Sequence, residues 1–259
     1  MNAFLPSLLL ASALVGVQYA SAATCPTDST ETRSERPVES KGNWSGLSFS
    51  ALSMAQFQGN LEEYNATWGA REDLGLITDD ALESFRLSVN PFEKRQKLLG
   101  EFIGITTGIG FDWIRLGIAT DRVLAYDESN ETVIATMLEP NAVDVTVNRI
   151  NAVYLRVPLL ASVHLFRTGG NGLHAEGGLV AGYLLHGKYN REFQAGATDT
   201  VTEEDFPVAP LQLSARIGVG FGKVSLLGEA ALLPFFDENP ADSPSMHSFT
   251  VGIQVALAD

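Results

Sequence analysis

Few residues in this 259-residue chain are suited to chemistry, and they are scattered: four histidines and one cysteine. A serine nucleophile needs its base within hydrogen-bond reach. His247 and Ser248 are neighbours in sequence, yet successive residues of a strand point to opposite faces, so on a strand they cannot form that pair. No Gly-x-Ser-x-Gly elbow is present to present a serine another way. His174 and Glu176 fall two apart, share a face, and could orient one another as a satisfied interior pair. Metal-ligand spacings, a P-loop and a dinucleotide fingerprint are all missing from the sequence. The expectation is a chain with no catalytic residues, no cofactor and no metal.

Five other ionisable residues share a pattern. Asp112, Arg156, Glu176, Arg216 and Glu229 each sit on the polar side of a segment whose other side is apolar. Buried charge persists only when paired and hydrogen-bonded, and the mixed signs here permit pairing. They are read as a structural charge network inside a barrel, with a conduction or ligand path as the competing reading.

The elements that must position these residues are strands. Leu211, Leu213, Ala215, Ile217, Val219 and Phe221 alternate with Gln212, Ser214, Arg216, Gly218 and Gly220, the period of a half-buried strand. The same alternation runs from Leu173 to Leu185 and from Phe249 to Leu257, and over 43–57, 83–91, 100–118, 149–166 and 223–233. Eight segments result, most with the ~9–11 residues that a tilted strand needs to cross a hydrocarbon layer. Even the most apolar stretch, Val153 to Phe166, is broken by Arg156 and His164, which argues against a helical span.

Connections of 58–82, 119–148, 187–208 and 234–246 alternate with short ones at 92–99, 167–172 and Gly222-Lys223, the sorting of outer-membrane barrels. Charge follows length. The stretches 58–82 and 119–148 each hold six acids against a single arginine, whereas the short turns carry Lys94, Arg95, Lys97, Arg167 and Lys223. The fold class predicted is all-β: an eight-stranded antiparallel up-and-down transmembrane β-barrel over residues 43–259.

Residues 1–22 carry an apolar run from Phe4 to Val17 followed by Ala20-Ser21-Ala22, the form of a cleavable signal peptide; an anchor helix is the alternative. Residues 23–42 are rich in Ser, Thr, Glu and Pro and read as a flexible tail. Cys25, the one cysteine, can form no intrachain disulfide, and Ala22-Ala23-Thr24 before it lacks the leucine normal to a lipid-anchored site. A net charge of −14 argues against a nucleic-acid partner, because phosphate neutralisation needs clustered Lys and Arg.

Residues 84–113 and 148–189 resemble the PorT-like outer-membrane β-barrel family common in Bacteroidetes. The marks are Asn90-Pro91 before a basic turn, Thr107-Gly108-Ile109-Gly110-Phe111, Tyr154-Leu155 with Val157-Pro158-Leu159-Leu160, and the glycine-rich run Ala175 to Lys188 with Tyr183. The resemblance implies an exported barrel in the outer membrane, with lipid as its surroundings and no enzyme chemistry. The function expected is a non-enzymatic structural or interaction protein, with an envelope protein as partner and a link to secretion or surface assembly by analogy alone. The alternative is a soluble periplasmic lipocalin-like barrel with its faces inverted around an apolar ligand. A lipid-modifying barrel enzyme would need a Ser/His/acid set at one rim, and the sequence does not assemble one.

Overall fold

The computed structural model describes residues 42–56, 83–99, 102–118, 122–127, 132–137, 144–168, 171–195, 197–203, 206–237 and 246–257. The expectations for residues 1–22, for Cys25 and the rest of 23–41, and for the acids of 58–82 lie outside them. Eleven strands are present among the described residues: β1 Gly46–Gln56, β2 Phe85–Leu99, β3 Ile103–Gly117, β4 Arg122–Asp127, β5 Thr132–Met137, β6 Asp144–Thr168, β7 Asn171–Ala195, β8 Ala197–Glu203, β9 Leu211–Phe221, β10 Val224–Ala231 and β11 Met246–Ala256.

Eight of them close a ring in the order β1-β2-β3-β6-β7-β9-β10-β11, with β11 back on β1 and every pair antiparallel. Ring closure requires stagger, and the register supplies it. A lateral walk from Leu47 passes through Val89, Phe111, Leu155 and Tyr183 to Leu211 in one direction. In the other it passes through Val255 and Val224 to Phe221, at the opposite end of the same strand β9. The predicted eight-stranded up-and-down barrel is the observed fold.

Period-2 alternation decides which face turns outward. On β9 the burial alternates exposed and buried from Leu211 to Phe221, with the apolar residues outside. Leu47, Phe49, Ile217, Val219, Leu226, Val251 and Ile253 are all exposed, whereas Ser48, Ser50, Ser88, Ser214 and Thr250 are buried. Apolar outside and polar inside is the reverse of a lipocalin, so the inverted arrangement considered from sequence is not the one formed.

Residues 92–99, 187–195 and 197–203 of the expected connections are strand, and strand is also present within 119–148. β2 continues through 92–99 because Asn90-Pro91 bulges the strand, with a register shift between Val89 and Phe92, and does not end it. Proline is tolerated there because β1 stops at Gly46 opposite Asn90, leaving an edge that needs no N–H from residue 91. β7 runs on to Ala195 and pairs with β8. Beyond the apolar belt both faces of a strand can be polar, so alternation vanishes and strand reads as loop. The stretch 119–148 contains the β4–β5 hairpin and the start of β6. The Gly222-Lys223 turn is a two-residue hairpin with φ of +60° at Gly222, which only glycine adopts without strain.

Inward residues along β6 show how the interior is layered. From the short-turn end they are His164, Ser162, Leu160, Pro158, Arg156, Tyr154, Ala152 and Ile150, all buried. The order is polar, then a small apolar layer around Leu160, then ionic, then apolar again. The apolar layer at the far end packs Leu52, Ile114, Leu116, Ile150, Tyr189 and Met246 with Phe206, Phe235 and Phe236.

Candidate functional site

At mid-height six charged side chains converge inside the ring. Arg156 bonds Asp112 Oδ2 through Nη1 at 2.9 Å and donates from Nη2 to Glu229 Oε1. Arg86 donates to Glu229 Oε1 at 2.6 Å and approaches Asp112 Oδ2 at 3.4 Å. Arg216 lies 3.9 Å from Glu229 Oε2 and 3.3 Å from Glu176 Oε1, and donates to Gln254 Oε1. All six side chains are at most 5% exposed, and three guanidiniums meet three carboxylates.

The strand register brings the six together. Glu229 and Arg216 are direct cross-strand partners, Asp112 lies opposite Ser88 on β2, and Arg86 lies opposite Ser50 on β1. Serine at the facing positions leaves room for the long arginines. Asp112, Arg156, Glu176, Arg216 and Glu229, singled out from sequence, thus meet in one cluster. Arg86, which was not singled out, is its sixth member. Its signal was available, since placing Phe85, Leu87 and Val89 outside puts residue 86 inside.

A strap of residues 42–45 enters the ring beneath this layer and carries Trp44, which is wholly buried. The guanidinium carbon of Arg216 lies 5.0 Å from the indole centroid and that of Arg156 5.8 Å away, both within cation–π range. Glu93 Oε2 accepts from the backbone N–H of Trp44 and of Ser45 at 2.8 Å each. Gln254 Nε2 donates to the carbonyls of Asn43 at 2.5 Å and Trp44 at 2.7 Å. Gly108 makes the space: a Cβ there would stand 2.7 Å from Trp44 Cδ1. Trp44 falls on the inward parity of the predicted segment 43–57, although the strand itself begins only at Gly46; alternation does not give its seat against Arg156 and Arg216.

Below the strap the His164 and His174 rings stack at 5.8 Å. His164 Nε2 lies 3.1 Å from Asn43 Nδ2, and His174 Nε2 lies 2.8 Å from Ser225 Oγ. His174 and Glu176 share the lumen face but not a bond, because Glu176 turns to Arg216. Ser225 with His174 is the serine–histidine contact that sequence reasoning missed, since no spacing relates β7 to β10. Among the described residues no carboxylate orients the imidazole as the third member of a hydrolytic triad would. Both residues are also buried. Among the described residues no group of three His, Cys, Asp or Glu could hold a metal ion.

No helix among the described residues is long and apolar enough to cross a membrane, which says nothing of a β-barrel. No family model matches the chain, and no curated protein matches it in sequence. Two solved structures similar to it are of Ail, the attachment invasion locus protein of Yersinia pestis. One, in complex with the heparin analogue sucrose octasulfate, is 11% identical with a TM-score of 0.31, over 81% of this chain and 96% of that one. The other is 12% identical with a TM-score of 0.28, over 82% and 98%. At these values no role for the present chain is argued from the likeness.

Proposed function

We propose that this chain is a non-enzymatic outer-membrane protein whose barrel is a closed anchor and whose loop-end sheet receives an envelope or surface partner. One observation carries the reading: the ring presents its apolar side chains outward on all eight strands and pairs its charges inward. Such an exterior is stable only against lipid, because contiguous exposed apolar patches on soluble monomers rarely exceed a few hundred Å². The dimensions agree. The 11 residues of β9, tilted by about 40° and rising about 3.3 Å each, span roughly 28 Å, close to the ~25 Å apolar band of such barrels.

Carboxylates tied up in ion pairs and, among the described residues, an imidazole without an orienting acid support a non-enzymatic role. The six-charge layer acts structurally, filling the lumen and setting the strand register. The interaction role rests on the strand extensions: β6 and β7 are 25 residues each, more than twice what a crossing requires, and β8 widens them into a three-stranded sheet. The PorT-like motifs support a place in secretion or surface assembly. Export by a signal peptide over residues 1–22 belongs to the same reading.

Fractionation of the expressing cell, followed by gels of boiled and unboiled outer-membrane extract, tests it. Recovery in that membrane with heat-dependent mobility is expected. Recovery as soluble periplasmic protein without a shift overturns it.

A further inference from the structure

The outer wall changes character abruptly at the loop end of β3, β6 and β7. Three laterally paired rows can be read straight off the register. Phe111, Leu155 and Tyr183 form the first, and Trp113, Val153 and His186 the second. Arg115, Asn151 and Lys188 form the third, and Arg149 stands two residues further along β6, opposite Gly117 and Asn190. Within two rows an apolar wall becomes a cationic one.

These rows face outward. Trp113 is 43% exposed and Tyr183 56% exposed, and Arg115, Asn151 and Arg149 keep the same parity along their strands, each partly exposed. Among the described residues no carboxylate pairs with Arg115, Arg149 or Lys188. Arg115 lies over the Phe85 ring, 5.2 Å from its centroid, and Arg149 Nε, itself buried, has no hydrogen-bond partner among the described residues. In a chain of net charge −14, three cations gather here on adjoining strands, with Glu83 beside Gly117 and Glu192 opposite Val147 at the far edge of the group. Neighbouring strands lie about 4.8 Å apart, so Arg115 and Lys188 flank a gap of about 10 Å that their side chains can reach across.

We infer that Arg115, Arg149 and Lys188 form a docking site for the phosphate-bearing headgroup of a lipid in the leaflet at the loop end. The inference rests on the membrane reading above. Trp113 and Tyr183 stand on the apolar side of the cations, where amphipathic aromatics mark the headgroup level. An acyl chain running down the Phe111–Leu155–Tyr183 wall brings its headgroup phosphate to the cationic row. Arginine suits this role because its planar fork binds phosphate oxygens in pairs.

Native mass spectrometry of the detergent-solubilised full chain tests the site, with dioleoyl phosphatidic acid and dioleoyl phosphatidylcholine as probes and inorganic phosphate as a third arm. Wild type is expected to retain phosphatidic acid over phosphatidylcholine, and the Arg115→Gln/Arg149→Gln/Lys188→Gln variant to bind it at least about tenfold more weakly. A control variant, Lys94→Gln/Lys223→Gln at the short-turn end, is expected to bind as wild type does. Equal retention by the triple variant, equal loss in the control, or inorganic phosphate displacing the lipid at equimolar concentration overturns the site. Unboiled gel mobility of each variant reports separately on folding; if the triple variant fails to fold, the three single variants are compared, each expected to weaken binding. A wild-type chain that never shows heat-dependent mobility refutes the membrane reading itself, a result distinct from loss of lipid preference in a folded barrel.

Discussion

Glu229 is the residue on which the interior depends most. Its carboxylate faces three guanidiniums, those of Arg86, Arg156 and Arg216, whereas Glu176 faces Arg216 alone, at 3.3 Å. Removing one partner of a buried ion pair costs about 3–5 kcal/mol because it strands the other charge. Glu229→Gln is therefore expected to lower unfolding stability by about that amount, measured by urea unfolding from lipid vesicles, and Glu176→Gln by clearly less. Equal losses, or none at Glu229, would show that the layer is not held as described. Trp44→Ala empties the space beside Gly108 and takes the ring from beneath Arg156 and Arg216. A loss of about 3–5 kcal/mol is expected in the same assay, the usual cost of truncating a buried aromatic. The legibility of these residues differed for a physical reason. Asp112, Arg156, Glu176, Arg216 and Glu229 lie inside alternating segments, where parity alone assigns a face. Arg86 obeys the same rule and was recoverable. Trp44 and the Ser225–His174 contact depend on how separate segments meet, which local spacing does not encode.

Strands were legible in proportion to the asymmetry of their surroundings. Where one face meets an apolar medium and the other a polar lumen, as along Leu211–Phe221, alternation is complete and the bounds come out almost unchanged. Beyond Leu185 a register shift opposite Val153 and Tyr154 offsets the alternation and the outer face turns polar, so the strand reads as a loop, although its ladder continues to Ala195. The apolar layer that closes the loop end was not legible either, because Phe206, Phe235 and Phe236 come from connections and not from strands. The two kinds of ladder should differ in persistence. Amides of β8 and of β7 beyond Tyr189 have an edge strand as a neighbour and no hydrocarbon around them. They are expected to exchange with deuterium well before those of β9 and β10. Uniform exchange along β7 would contradict a belt that ends near Leu185.

At the scale of the whole molecule the distinction is between what the ring faces and what it encloses. Ile217 is 70% exposed at the middle of β9. On a soluble protein an arginine there would be harmless; at the midplane of a bilayer it costs about 2–4 kcal/mol. Ile217→Arg is expected to lower stability in vesicles by that much, whereas Leu257→Arg, beyond the end of β11 at the short-turn end, falls near the interface and is expected to cost far less. Similar small effects at both positions would indicate water, not lipid, around the ring.

Inside and outside can be told apart in one measurement, because the chain carries a tryptophan in each place. Trp44 is wholly buried in the lumen and Trp113 is 43% exposed on the outer wall. Single-tryptophan variants retaining one or the other, with phenylalanine at the remaining tryptophan positions, are reconstituted in vesicles whose acyl chains are brominated. Strong quenching of Trp113 with Trp44 nearly untouched is the expected result. Quenching of Trp113 by aqueous acrylamide but not by the brominated chains would contradict a barrel wall that faces lipid.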